Sequence, residues 1–260
     1  MTGTGDEFGA CIGAGIVDPG VVGDITGTAE PVAAAATTPL LDPTGLVETH
    51  PHASPDRWLL ETPGFVSGGA RRWLAESVLG VTPERVTELA AQAPPGSDGL
   101  VFIPALGGAV TPRWNDRARG TFHGLRLGHD RRHLARAVLE GCAFALRDLV
   151  DRLDDLGLAG GRVRILGGGA RDPLWPSIKA DVTGRVMERL VEPEATALGG
   201  AVLAAVGAGW YPDVGSAAAA SARIAPELAE PDTGRHRMYE DAYARYRAIF
   251  DALEPIGMDA

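Results

Sequence analysis

Three consecutive glycines, Gly167, Gly168 and Gly169, separate the strand-like run Arg162-Val163-Arg164-Ile165-Leu166 from a helix expected to open at Asp172-Pro173. Backbone without side chains can wrap an oxyanion closely, and a helix start adds unpaired N–H groups at the positive end of a dipole. The loop fits neither the Walker A pattern nor the Rossmann glycine triplet, which removes the commonest nucleotide fingerprints. Far upstream lie a second small turn, Gly27-Thr28, and the acidic step Gly5-Asp6-Glu7. An acidic residue beside two phosphate cradles points to phosphoryl transfer from a nucleotide. Read singly, each feature also has a plainer meaning. Asp6 is then a solvated terminal carboxylate, Gly27-Thr28 an ordinary hairpin turn, and the glycines a packing device between strand and helix.

A chain of 260 residues with 45% apolar content buries a substantial core, as one large domain or a domain with a small appendage. The net charge of −10 argues against nucleic acid or an anionic membrane surface as partner, but leaves a nucleotide open, since backbone amides hold phosphate without a basic patch. Cys11 and Cys142 both fall in apolar helical runs and read as buried reduced thiols of a cytoplasmic protein. The weakly apolar stretch Ala195 to Tyr211 is rich in Ala and Gly and too short for a bilayer span. Asp6 and Glu7, with no basic residue near them, do not make a signal peptide.

Periodicity places a helix-like piece at Phe8 to Ile16 and two strands, Val22–Thr26 and Val32–Ala35, joined as a hairpin at Gly27 and Thr28. The Pro/His/Asp-rich segment 39–62 reads as short strands and loops, followed by helices at about 64–79 and 83–92 and strands at 99–103 and 120–127. Asp130 is the expected N-cap of a long helix on which Leu134, Val138, Cys142, Ala145, Leu149 and Leu153 form one apolar stripe. Gly141 shares that side and would admit a close neighbour. A strand at 162–166, a helix capped by Asp172 with Pro173 at its first position, a strand near 185–191 and helices 196–208 and 235–253 complete an α/β alternation. Trp114 and Trp175 read as packing residues, and Asp151, Asp154 and Asp155 as a solvated acidic face. His129 with His133, and His50 with His52, have spacings a metal site could use, but nothing completes either pair, so no metal ligands are assigned.

The segment Gly120-Thr121-Phe122-His123-Gly124-Leu125, followed after seven residues by His133-Leu134-Ala135-Arg136-Ala137-Val138-Leu139-Glu140, resembles the second signature of the FGGY carbohydrate kinases. The run Leu166 to Trp175 is similar to that family's adenosine loop. Gly5-Asp6-Glu7 with Gly13-Ala14-Gly15 is similar to its catalytic-aspartate segment, and Asp24-Ile25-Thr26-Gly27-Thr28 to its second phosphate loop. Within the family the chain resembles the xylulokinase-like branch. The resemblance implies a ribonuclease-H-like α/β domain of the actin/hexokinase/Hsp70 ATPase superfamily, the second domain of a sugar kinase. Residues 1–18 would be a remnant of the first, sugar-binding domain carrying the catalytic Asp, and residues 19–255 the nucleotide-binding domain.

The same resemblance assigns roles. Asp6 would be the general base and, with Glu7, would contact the sugar; Glu7 stands where Gln is usual. Gly27, Thr28, Gly167, Gly168, Gly169 and Ala170 would bind nucleotide, with Ala29 replacing a common Ser. ATP with Mg2+ is the implied phosphoryl donor, its metal ligands expected mostly in the first domain, and a ketopentose such as D-xylulose the acceptor. The first domain is expected to lie outside this chain, through a truncated gene, a mis-called start or a split enzyme. Half a cleft would be inactive alone and would rely on a separate N-terminal half or self-associate through the apolar stripe Phe8, Cys11, Ile12 and Ile16. The competing reading is a nonenzymatic nucleotide-binding or interaction module derived from such a kinase.

Overall fold

A central sheet of six strands organises the protein, a computed structural model of which describes residues 3–257 apart from 159, 227 and 228. Helix α1 (Asp6–Gly13) leads into the expected hairpin of β1 (Val21–Thr26) and β3 (Val32–Ala36), which pair antiparallel with Asp24 opposite Val32. The two-residue strand β2 (Ala29–Glu30) branches from the hairpin turn to pair with β6 (Phe65–Val66). The segment expected to hold short strands supplies β4 (Glu48–Pro51) and β5 (Trp58–Glu61), which extend the sheet beyond β3. On the other side of β1, strands β9 (Arg162–Gly167) and β10 (Val186–Arg189) add in parallel, giving the order β10-β9-β1-β3-β5-β4. A separate antiparallel pair is formed by β7 (Val101–Ile103) and β8 (Thr121–His123).

Strand geometry sends alternate side chains to opposite faces, and both faces are covered. Val22, Ala34, Leu60, Val163 and Ile165 enter the larger core, shared with α2 (Gly68–Trp73), α3 (Pro83–Ala90), α4 (Arg131–Asp155), α5 (Trp175–Thr183) and α8 (Thr233–Gly257). Ala33, Ala35, Leu59 and Leu166 face a second core with Ala10 and Cys11 of α1, Ala14 and Ile16 just beyond it, and Ala195 of α6 (Ala195–Gly207). Helix α7 (Val214–Ser221) closes a third cluster with Ile12, Val202 and Leu203.

Long helix α4 begins as expected. Asp130 accepts from the Arg132 N–H at 2.9 Å, and His133 Nδ1 accepts from the Asp130 N–H at 3.1 Å, closing a capping box. A Cβ at Gly141 would lie 2.3 Å from the Phe102 carbonyl, so the glycine lets β7 run against the helix.

Several expectations need correcting. Helix α5 starts at Trp175 rather than at Asp172-Pro173, because Asp172 turns inward and ends buried. The strand expected over 120–127 stops at His123, where Gly124 takes φ +89°. The helix expected over 64–79 opens with β6 and closes in a π-helical turn, Leu74–Leu79. Trp114 is 64% exposed and packs no core, whereas Trp175 is buried with its Nε1 donating to the Leu139 carbonyl. Asp151, Asp154 and Asp155 are ion-paired with Arg147, Arg185 and Arg152 rather than merely solvated.

The apolar stripe on residues 8–16 is not left for a partner. Cys11, Ile12 and Ile16 are buried in this chain's own cores, and Phe8 is half-buried against His50 with ring centroids 5.2 Å apart. Burial holds both cysteine thiols well above their usual range. Contact between α1 and α6 is nearly backbone to backbone: a Cβ at Gly13 would meet the Ala195 carbonyl at 2.0 Å, and one at Gly199 the Gly9 carbonyl at 1.9 Å. Gly199→Ala is therefore expected to destabilise the fold by about 1–3 kcal/mol. Gly200→Ala, with open space around it in the same helix, should stabilise by roughly 0.5–1 kcal/mol. Urea unfolding midpoints of the two variants, moving in opposite directions, check the crossing.

Candidate active site

Parallel pairing of β1 and β9 sets Thr26 opposite Gly167 at the carboxyl ends of both strands. From β1 the chain turns to the β3 side, and from β9 it proceeds to the β10 side. The crevice outside the strand ends at such a reversal is where open α/β sheets bind ligands. It brings together the Gly27-Thr28 turn and the Gly167–Gly169 loop, whose residues sequence had marked separately.

The three glycines answer to different constraints. Gly167 adopts φ +73°, and a Cβ on it would meet the Thr26 carbonyl at 2.7 Å. Gly169 rests on the Thr26 side chain, 2.5 Å from Cγ2 were a Cβ present. Gly168 is exposed, with no heavy atom within 4 Å of its Cβ position. Packing inside the chain thus accounts for two of the glycines and leaves open space at the middle one. Beyond it Ala170, Asp172, Pro173, Ser177, Glu188 and Arg189 line a cleft of about 290 Å³.

The turn at Gly27 and Thr28 is exposed, and its carbonyls are taken up by the start of α2. Gly68 N–H donates to the Gly27 carbonyl at 3.1 Å, and Ser67 and Gly69 N–H to the Thr28 carbonyl at 3.2 and 3.0 Å. Asp172 anchors the far end of the glycine loop. Its Oδ1 accepts from Leu174 and Trp175 N–H at 2.9 Å each, and its Oδ2 from Arg71 Nη1 and Thr87 Oγ1 at 2.6 Å each. Sequence reading treated Asp172 as a helix cap and had no signal for its long-range partners.

Asp6 and Glu7 occupy the exposed first turn of α1, and Glu7 N–H donates to Asp6 Oδ1 at 3.1 Å. Two contacts tie this turn to the glycine loop's neighbourhood. Arg171 pairs with Glu194 at 2.8 Å, and Thr196, two residues on, donates to the Asp6 carbonyl at 3.3 Å. Asp6 borders an open cavity of about 410 Å³ with Thr4, Gly5, Thr196 and Gly200. Glu61 ends β5, in the segment whose composition marks short strands and loops but carries no signal for a buried carboxyl. It is 9% exposed and hydrogen-bonded to Glu7. Burial, that hydrogen bond and the charges of Glu7, Glu48 and Asp6 push its carboxyl up to about 9, so at neutral pH it is protonated and donates to Glu7.

Among the described residues no group of three or more His, Cys, Asp or Glu side chains is arranged to hold a metal ion, and no helix is long and apolar enough to cross a membrane. His133 is committed to the α4 cap, and His52 Nε2 lies 3.2 Å from the Ile16 carbonyl.

The fold is the ribonuclease-H-like architecture of the actin/hexokinase-type ATPases, in the form of a sugar kinase's second domain. The chain belongs to the FGGY family of carbohydrate kinases: the description of that family's C-terminal domain matches residues 25–208. A xylulose kinase of Staphylococcus epidermidis is 31% identical over 80% of this chain and 42% of its own length. A glycerol kinase of Geobacter sp. is 35% identical over 79% of this chain and 42% of its own. The crystal structure of xylulose kinase from Rhodospirillum rubrum superposes with a TM-score of 0.85 at 32% identity, covering 98% of this chain and 52% of that one. The chain thus spans about half the length of the relatives it matches.

Loop geometry separates two neighbouring glycines. Gly169→Ala should lower the melting temperature by several degrees, because its Cβ would overlap Thr26, at about 1–3 kcal/mol for overpacking. Gly168→Ala should leave it nearly unchanged, and differential scanning calorimetry distinguishes the two. Glu61 generates a second prediction. Its folded value near 9 lies above the ordinary 4.5, so between those pH values the folded chain holds a proton that the unfolded chain has lost. Stability contributed by this group is complete below the ordinary carboxylate range and is lost as pH rises through that window. Glu61→Gln should flatten the decline in urea midpoint on the alkaline side.

Proposed function

We propose that this chain is the nucleotide-side portion of an ATP-dependent carbohydrate kinase that passes the γ-phosphoryl group of MgATP to a hydroxyl of a ketopentose of the D-xylulose type. The observation that carries the reading is the β1–β9 pairing. It aligns two small-residue loops at one crevice, with open space at Gly168 that no packing need explains. Residues 1–18 carry the acidic turn, and residues 19–255 the nucleotide domain.

In this reading Gly27 keeps the turn open, its own N–H donating to the Ala29 carbonyl at 3.0 Å, while Thr28, Gly167, Gly168 and Gly169 present amides and a hydroxyl to the phosphates, and Ala170 borders the nucleoside in the adjoining cleft. The Asp6 carboxylate accepts the proton of the attacking sugar hydroxyl. The hydroxyl oxygen bonds to the γ-phosphorus as the bond to the β-bridging oxygen breaks, leaving ADP and a sugar phosphate. Magnesium bound to the nucleotide would neutralise part of the charge on its phosphates. Glu7 orients the sugar through its second carboxylate oxygen, the first being held by the protonated Glu61. That carboxylate–carboxylic acid pair offers the acceptor character expected of the amide usual at this position. Positioning in a closed site supplies most of the rate. The complementary wall comes from the half of the kinase that the match does not span, on the same polypeptide or another, in a cytoplasmic enzyme. The xylulose and glycerol kinase relatives leave two acceptor classes to compare, and a substrate panel separates them.

The test is a coupled ADP-release assay on this chain joined to the amino-terminal half of a related xylulose kinase, across ketoses, pentoses and polyols. D-Xylulose is expected to exceed glycerol. Asp6→Asn keeps the size but cannot take the proton, and should lower the rate by about 10²–10⁴-fold while ADP affinity stays nearly constant. Full activity in Asp6→Asn would refute the base, and nucleotide binding without any acceptor activity would favour a nonenzymatic module.

A further inference from the structure

A string of buried polar side chains runs beneath both loops, outside every role assigned above. Lys179 of α5 is 1% exposed, while Asp24 and Glu30 are fully enclosed. The Lys179 Nζ donates to Asp24 Oδ2 at 2.6 Å and to Thr26 Oγ1 at 2.7 Å, and stands 3.0 Å from Glu30 Oε1. Thr26 Oγ1 donates in turn to Asp24 Oδ1 at 2.9 Å, and Ser67 Oγ donates to Glu30 Oε2. The ammonium also lies 5.0 Å from the Trp175 ring centre, which the Arg71 guanidinium approaches to 5.4 Å.

Placing an ammonium and two carboxyls in a core is costly, and an apolar set of similar volume is often as stable. An apolar set, however, has no directional bonds with which to fix one loop against another. Here every member stands directly behind a loop. Thr26 precedes Gly27, and its side chain, held by two hydrogen bonds, is the floor on which Gly169 rests. Glu30 and Ser67 close the other side of the Gly27-Thr28 turn, where Ser67 N–H also donates to the Thr28 carbonyl. Lys179 gathers them from the helix that follows the glycine loop. Burial and the neighbouring Asp24 charge push the Glu30 carboxyl up, and the Lys179 ammonium set against both carboxyls offsets their charge inside the enclosed site.

We propose that Lys179 is the positioning residue of the phosphate crevice: through Asp24, Thr26 and Glu30 it sets the separation and orientation of the Gly27-Thr28 turn relative to the Gly167–Gly169 loop, so that both address one polyphosphate chain. Sealed from solvent, it touches no ligand and acts through its partners. The inference rests on the nucleotide reading above.

ADP and adenosine are titrated by calorimetry against the wild-type chain, Lys179→Met and Lys179→Arg. Adenosine shares base and ribose but lacks phosphates, so it reports the neighbouring cleft alone. Lys179→Met is expected to weaken ADP by about tenfold or more, the scale of a lost charge-assisted hydrogen bond, with adenosine moving by less than about twofold and Lys179→Arg recovering part of the loss. Equal weakening of both ligands, or none for ADP, overturns the positioning role while leaving the nucleotide reading intact. A wild-type chain that binds neither ligand removes that reading and the proposal with it. Amide hydrogen exchange supplies a readout without ligand, and Thr26→Val, of like shape but lacking Oγ1, keeps the test available if Lys179→Met folds poorly. Exchange over residues 26–30 and 167–171 should quicken by about tenfold in either variant with α8 unchanged. Uniform quickening, or none at the loops, contradicts the proposal.

Discussion

The parallel pairing of β1 with β9 is the contact from which the site follows. It joins a hairpin near the start of the chain to a strand far downstream, and the register Thr26 to Gly167 makes the two loops neighbours. Each loop alone is unexceptional. A hairpin turn needs small residues, and a strand-to-helix connection often has glycine. Side by side at a reversal of sheet direction they become two walls of one crevice. A register slip by one residue would send Thr26 to the other face of the sheet and remove the floor under Gly169.

Around that pairing the chain has committed its glycines and its charges differently on the two faces. On the α1 side the solution is steric: Gly13 and Gly199 let two helices meet at backbone distance, with Ala33 and Ala35 of β3 buried beneath them. The packing explains why the acidic turn of α1 is held near the start of α6, with Thr196 bonded to the Asp6 carbonyl. On the α4–α5 side the solution is polar. Asp172 and Lys179 each gather partners from distant segments, and both Arg71 and Lys179 approach the Trp175 ring. Low dielectric strengthens such bonds and makes any missing partner costly, so the network favours one arrangement of the loops over near alternatives.

Family membership and physical reading meet at the crevice but supply different things. The match over residues 25–208 establishes the family and the class of fold. The coordinates add why Gly168 differs from its neighbours in the loop. Glu61 is instructive here. Burial at the end of an apolar strand, and then Glu7 brought against it by α1, push this carboxyl up.

What the sequence determined by itself is what short-range chemistry encodes. The hairpin at Gly27, the Asp130 cap, the apolar stripe of α4 and the strand before the glycine loop all depend on local spacing and turn chemistry. Periodicity and turn preference therefore disclosed them. Asp172 shows the limit: a local rule made it a helix cap, and contacts with Arg71 and Thr87 drew it inward and delayed α5 to Trp175. The stripe on α1 was likewise legible as apolar, but not what covers it, because the covering residues come from the sheet and from α6, far along the chain. Lys179, Asp24, Glu30 and Glu61 carry no local pattern at all. A charged side chain in a helix or strand ordinarily faces water, and only the folding of β1, β2, β5 and α5 about one another enclosed these four and gave each its partner.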